Sequence, residues 1–346
     1  MWTNITNDEP PTPKRGSVSG LNRMAVIFNA SKDRRPLETY LKLVKERAPK
    51  IEIDVIATQN LPEGLEQAKQ IHDNGYDLLV AAGGDGTLLS VVNAAVHRET
   101  LLTILPLGTA NDYAKAIGIR TVEDAVEVLF EGGVRLADAG RCTYQDFDQK
   151  QQKTYFCSTA GAGLLAQNAR LEQHRFGVWL KKLLKEGAGP LFAIGSIFAT
   201  RNVSTNLLVN GVKIQTKMRT LELSKVREAG DFLLTPHASL DNECLDAWMA
   251  HHVNWLDTIR IFLQIVANQA AHLDHQNVEY FTSQPNWNRY GITMPTRIEV
   301  EPAEPLLVHL NGDLVGQTPA VFEIVPKALK LLVPLAGSHR RSSPIP

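Results

Sequence analysis

Cysteine is scarce in this chain, neither sign of charge is in excess, and no apolar run is long enough to span a bilayer. The three cysteines, Cys142, Cys157 and Cys244, lie far apart without metal-ligand spacing. An odd, sparse set excludes a disulfide framework and suits free buried thiols in a reducing, cytoplasmic setting. Lys and Arg number 36 against 37 Asp and Glu, which leaves no basic excess for a nucleic acid. "PLFAIGSIFA" (Pro190–Ala199) is the greasiest stretch and falls short of the ~20 apolar residues of a transmembrane helix. The opening segment "MWTNITNDEPPTPKRGSVSG" lacks the apolar core of a signal peptide. There is no Gly-Lys pair, hence no Walker P-loop, and no internal repeat. A soluble protein with at most peripheral membrane contact is expected.

What is present is a chain of 346 residues, 44% apolar, long enough for more than one core. Residues 1–22 and 335–346 are polar and rich in Pro, Ser or Arg, and are expected to be disordered tails. Between them, "RMAVIFN", "IEIDVIAT", "YDLLVAA" and "LLTILP" read as buried strands, each followed by a helical segment. That alternation predicts an α/β domain over 23–137, a parallel sheet with helices on both faces. Short strands dominate afterwards. Residues 138–315 are expected to form a β-rich antiparallel sandwich with helices inserted at about 163–185 and 255–273, and Asn210-Gly211 marks a hairpin.

Two glycine-bearing segments each follow a strand and precede a helix: "GGDGT" (Gly83–Thr87) and "LGTAND" (Leu107–Asp112). Free amides at helix starts and in glycine turns bind phosphate oxygens, and Thr87 and Thr109 add hydroxyls. Either loop alone is compatible with a plain structural turn; two on neighbouring strands suggest a nucleotide. Asp85 sits where a carboxylate would repel phosphate. It is tolerable there if Mg²⁺ intervenes, if it accepts a proton or hydrogen bond from an attacking hydroxyl, or if it only caps a following helix. "GAGLLA" (Gly161–Ala166) fits a loose dinucleotide fingerprint but lies in the strand-rich half without a βαβ unit.

"GGDGT", then "ILPLGTANDYAKAIGI", then "LLVHLNGDLVGQTPAVFEIVPKALKLLVP" together resemble the diacylglycerol kinase catalytic family, which includes bacterial lipid kinases and is related to sphingosine kinases. The resemblance covers most of 24–334. It implies a nucleotide cleft between the two domains, ATP and Mg²⁺ as cofactors, and a lipid hydroxyl at a membrane surface as acceptor. Nucleotide contacts would fall on Asn29, Thr58, Gly84, Asp85, Gly86, Thr87, Gly108 and Thr109. The proton acceptor of a late Asp-Gly-Glu motif corresponds to Asp313, within Asn311-Gly312-Asp313, and a segment at about 316–334 would complete the first domain. NAD kinases share "GGDGT" but have a different second motif, which leaves an NAD kinase-like enzyme as the alternative reading.

This chain departs from the family in four places, the first being Asn311-Gly312-Asp313 itself, where Asn311 replaces the motif's Asp and Asp313 is one methylene shorter than its Glu. Leu89-Ser90 replaces an Asn-Glu pair, and "NASKD" replaces an Asn-Pro-x-Ser-Gly loop, where Lys32 offers either a phosphate-facing cation or a solvated side chain. Asp241-Asn242-Glu243 replaces an Asp-Asp-Gly that binds a second-domain Mg²⁺ in the family, so a metal there is left open. These changes also keep a non-catalytic nucleotide or lipid sensor in play. Among weaker signals, "HLDH" (His272–His275) is an incomplete metal set. "WLKKLLKEG" (Trp179–Gly187) is either a membrane-surface helix or an ordinary solvated one. "GPLFAIGSIFA" is either the wall of an acyl-chain pocket or plain core.

Overall fold

Four parallel strands carry the first half. The computed structural model describes residues 14–15, 21–71, 74–173, 188–230, 232–267, 277–283 and 288–335. Arg23–Asn29, Glu52–Thr58, Leu78–Gly83 and Leu101–Pro106 pair in parallel. Leu78–Gly83 is buried along its whole length, the pattern of a strand covered on both faces. Helix Arg35–Arg47 begins with a proline in its first turn and sinks Leu37, Tyr40 and Val44, a spacing of three and four that makes one face. Helix Val122–Glu131 starts on a capping box in which the Thr121 hydroxyl accepts from the Asp124 amide and the Asp124 carboxylate accepts from the Thr121 amide.

Register decides where a ligand can bind. Asn29 stands opposite Thr58, and Gly83 opposite Pro106. The carboxyl ends of all four strands therefore open on one edge, the place where open parallel sheets take ligands.

From Gly133 onward pairing is mostly antiparallel. Asn210-Gly211 (φ 48° and 85°) joins strands Val203–Val209 and Val212–Ser224, and Asn311-Gly312 (φ 48° and 83°) joins Leu307–Leu310 to Asp313–Val333. Both are two-residue turns with two positive φ angles, the type that Asn-Gly favours. The sequence suggests separate parallel and antiparallel sheets, whereas hydrogen bonding joins them into one fifteen-stranded network. The cause is the 21-residue strand Asp313–Val333. It runs antiparallel to Gly133–Gln145, and its Lys330 and Leu331 lie parallel to Leu101 and Leu102. A helix-covered cluster around Val26, Leu79, Leu105 and Leu331 fills the parallel part, and a second around Phe156, Leu221, Phe281 and Phe322 fills the antiparallel part.

Several elements differ from the sequence reading. The first inserted helix is described as Leu164–Gln173 and the second as Trp255–Val266; "WLKKLLKEG" and "HLDH" lie outside the described residues. The strand expected at "DFLLT" shrinks to Phe232–Leu233. Most of both expected tails is also outside the described residues, but Lys14–Arg15 pairs antiparallel with Gly133–Val134. Gly161 and Gly163 of "GAGLLA" serve sheet packing. A Cβ on Gly161 would meet the Glu222 carboxylate at 2.2 Å, and one on Gly163 (φ 113°) the Arg219 carbonyl at 2.3 Å. No described helix is long and apolar enough to cross a membrane.

Candidate active site

A cavity of about 920 Å³ lies at the carboxyl ends of the parallel strands. Asn29, Thr58, Gly84, Asp85, Gly86, Thr87, Gly108, Thr109 and Asp313 all line it, and Lys32 does too. Residues up to 284 positions apart in sequence, from Asn29 to Asp313, thus face one space.

The two glycine loops are built against each other. The Leu107 and Gly108 amides both donate to the Gly83 carbonyl. A Cβ on Gly108 would lie 2.5 Å from Gly84 Cα, so only glycine permits this approach. Asn111, in the left-handed region (φ 54°), closes the second loop: its Oδ1 accepts from the Gly108 amide at 2.9 Å and its Nδ2 donates to the Gly108 carbonyl at 2.9 Å. The expectation that both loops offer backbone amides to phosphate therefore needs correction for Gly108, whose amide is already engaged. The start of helix Asp85–Ala95 differs, because Gly84 precedes it and no side chain caps it. Its first amides are those a helix leaves unpaired; the Asp85 amide turns to its own carboxylate, and Gly86 and Thr87 supply theirs on the cavity wall.

Asp85 answers to the capping reading, on the neighbouring helix and not its own. Its Oδ2 accepts from the Asp112 amide and its Oδ1 from the Tyr113 amide, each at 3.2 Å, at the start of helix Asp112–Ala116. Burial raises its pKa, and these amides work against that rise. The Asp112 carboxylate accepts from the Gly230 amide at 2.8 Å, which ties the loop onward to the antiparallel part.

Asp313 is the first residue after the Asn311-Gly312 turn, and its carboxylate lies over Gly86: a Cβ there would stand 2.2 Å from Asp313 Oδ2. Gly86 thus makes room for the acid. Asn311 locks the turn in place, since its Oδ1 accepts from the Ser158 amide at 3.1 Å and its Nδ2 donates to the Asp85 carbonyl at 3.1 Å. Burial pushes the Asp313 pKa up to about 6; His309 opposes the rise and the Asp85 charge adds to it. His309 is itself held at 2.8 Å from Glu222. Sequence reasoning missed Gln173, whose Nε2 donates to Asp313 Oδ1 at 3.3 Å from the end of helix Leu164–Gln173. Nothing in a lone glutamine 140 positions away signals that contact.

The remaining expected residues are braced at the rim. Asn29 Oδ1 accepts from both the amide and the hydroxyl of Ser31, and the Thr58 hydroxyl points to the Phe28 carbonyl at 3.5 Å. Leu89 is fully buried in the antiparallel cluster, which accounts for an apolar residue at that place, while Ser90 lines the cavity. None of the described lining residues comes from helix Ala188–Ala199, so the acyl-pocket reading of "GPLFAIGSIFA" finds no support in this cavity.

The segment 241–243 does not fit a second metal, because a cation is already built in. The Lys225 ammonium is fully buried, and it donates to Asp138 Oδ2 (3.1 Å), Asn242 Oδ1 (2.6 Å) and the Cys244 carbonyl (2.8 Å). Asp241 is taken by Arg135 at 2.9 Å and Glu243 by Lys327 at 2.6 Å. Among the described residues no group of three or more acidic, His or Cys side chains is poised for a metal. Lys225→Met, which leaves Asp138 buried without its counter-charge, is expected to cost about 3–5 kcal/mol. Urea unfolding without nucleotide checks this, and a wild-type midpoint in the variant would contradict the assignment.

This architecture pairs a cleft at the carboxyl ends of a parallel sheet with a carboxylate delivered from an antiparallel hairpin. Residues 23–142 match the diacylglycerol kinase catalytic domain. The chain is 25% identical over 323 residues to the diacylglycerol kinase of Bacillus subtilis (strain 168), covering 91% of this chain and 97% of that one. It is 23% identical over 318 residues to that of Staphylococcus carnosus (strain TM300), covering 90% and 95%. The crystal structure of a diacylglycerol kinase from Bacillus anthracis (strain Sterne) superposes with a TM-score of 0.61 at 14% identity, over 91% of this chain and 97% of that one. Yeast NADH kinase in complex with NADH gives a TM-score of 0.50 at 11% identity, over 93% and 86%. Residues 23–142 belong to the diacylglycerol kinase catalytic-domain family, and the chain is similar to diacylglycerol kinases over about nine tenths of its length.

Proposed function

We propose that the protein is an ATP-dependent lipid kinase that phosphorylates the hydroxyl of a lipid such as diacylglycerol. The observation that carries this reading is Asp313. It is a buried acid with a pKa near 6, seated on Gly86 at the mouth of an uncapped helix start. The acceptor hydroxyl oxygen attacks the γ-phosphorus, the bond from that phosphorus to the β,γ-bridging oxygen breaks, and ADP leaves. The hydroxyl proton goes to Asp313. The first-turn amides of Gly86 and Thr87 hold phosphate oxygens, and Asn29 and Thr58 border the nucleotide at the far rim. Mg²⁺ delivered with ATP would neutralise phosphate charge, held chiefly by the phosphate oxygens, because both Asp85 oxygens already accept from backbone amides. Positioning and charge neutralisation dominate this chemistry, so few side chains are needed.

The test is transfer of label from γ-labelled ATP to diacylglycerol, sphingosine, ceramide or phosphatidylglycerol in mixed micelles, with NAD in a separate tube. A labelled lipid is expected. Labelled NADP would instead place the protein with the NAD kinases. ATP binding without any product would make it a sensor.

A further inference from the structure

Helix Ala188–Ala199 and helix Trp255–Val266 pack against each other, and both turn large apolar side chains outward. On the first, Phe192 and Ile197 face inward while Ile194 and Phe198 face out, and Phe198 is 61% exposed. On the second, Ile261 and Ile265 pack inward with Trp248, Val253 and Tyr280. Trp255, Leu256 and Leu263 face out, 48%, 49% and 58% exposed. The Phe198 and Trp255 rings meet across the helix junction, with centroids 5.8 Å apart. The inner faces already supply the packing these helices need, so the outer residues form a surplus apolar patch that runs over both.

The charges around the patch choose its partner. Arg260 lies between Leu256 and Leu263 on the exposed side, its side chain 74% exposed, and the exposed Arg201 follows the first helix. Asp257 is mostly buried in the capping box with Asn254 and lies 3.8 Å from the Arg260 guanidinium, a loose pair that leaves most of the Arg260 side chain in solvent. A cationic, Trp-bearing apolar face complements an anionic phospholipid surface: rings and leucines enter the headgroup boundary while guanidinium groups meet lipid phosphates. The patch also connects to the site. Helix Leu164–Gln173 packs on helix Ala188–Ala199, and its last residue, Gln173, touches Asp313.

We infer that the outward face formed by Ile194, Phe198, Trp255, Leu256, Arg260 and Leu263 docks the protein on an anionic phospholipid bilayer. The inference rests on the lipid-acceptor reading above, because a bilayer holds such an acceptor with its hydroxyl at headgroup level.

The test is co-sedimentation of the full chain with phosphatidylcholine vesicles and with mixed phosphatidylcholine–phosphatidylglycerol vesicles, without ATP or diacylglycerol. The wild type is expected to pellet with the anionic vesicles. The double variant Phe198→Ser, Trp255→Ser is expected to bind them about tenfold or more weakly. Arg260→Glu, a change at an exposed position, is expected to weaken binding at an unchanged melting temperature. On a water-soluble short-chain diacylglycerol all three proteins should turn over alike. Wild type that stays in the supernatant, pellets equally with neutral vesicles, or is matched by both variants overturns the inference. So does a homodimer in light scattering that the double variant dissolves, since the face would then belong to a second copy. Vesicle binding that follows this pattern without phosphorylation of any lipid leaves the docking surface standing and removes the kinase reading.

Discussion

Asp313→Asn is expected to lower turnover by about 10²–10⁴-fold while ATP binding stays near the wild-type level, the range a general base contributes. Asparagine keeps the size of the side chain, so the fit over Gly86 survives and only the ability to take a proton is lost. A second signature separates this from damage to the fold. The folded-state pKa of Asp313 is raised, from 3.8 to about 6, chiefly by burial. A carboxyl raised in this way favours the fold fully below its unfolded pKa, and that contribution is lost as pH rises through about 6. Near neutral pH the charged form therefore burdens the native state, and Asp313→Asn should melt at or above the wild-type temperature. An inactive variant that is more stable marks a group held against its preference for the sake of chemistry. Near-normal turnover, or inactivity with a lower melting temperature at neutral pH, would remove Asp313 from the role of base.

Gly108→Ala carries the second large effect, and it acts on binding. The new methyl would lie 2.5 Å from Gly84 Cα and 2.6 Å from Asn111 Oδ1. Neither neighbour can yield cheaply, since one is backbone and the other closes the loop through two hydrogen bonds. The two glycine loops must separate, and the start of helix Asp85–Ala95 moves with Gly84. The expected outcome is a loss of ATP affinity of about tenfold or more, read by calorimetric titration, and a stability loss of about 1–3 kcal/mol from overpacking. Wild-type affinity in this variant would mean that the loop contact does not shape the nucleotide site.

Much of this arrangement is legible in the sequence because it is local. The four strand–helix alternations follow from apolar runs and breakers, and both Asn-Gly hairpins follow from the positive φ their turns require. The gathering of Asn29, Thr58, Gly84 and Gly108 on one rim follows from strand order once the sheet is parallel. What was not legible depends on partners distant in sequence. Gly108 reads as a phosphate donor until Asn111 and Gly83 are seen to occupy its amide. For Asp85 the sequence leaves a metal, an attacking hydroxyl and a cap of the helix that follows it as alternatives, and only the fold puts the Asp112 and Tyr113 amides of the neighbouring helix on its carboxylate. Lys225 reads as any lysine on a strand, and only the fold brings Asp138, 87 positions earlier, against its ammonium. Sheet continuity was equally hidden, because one strand of 21 residues serves two kinds of pairing at its two ends.

The central claim is that Asp313 takes the acceptor's proton in a phosphoryl transfer to a lipid. The most direct measurement is kcat/KM for diacylglycerol phosphorylation across a pH range spanning the Asp313 pKa of about 6, in the wild type and in Asp313→Asn. Wild-type activity is expected to fall tenfold per pH unit below about 6 and to level off above it, with a low, flat profile in the variant. A wild-type profile that stays flat through that range, or an acid limb that persists unchanged in Asp313→Asn, would contradict it.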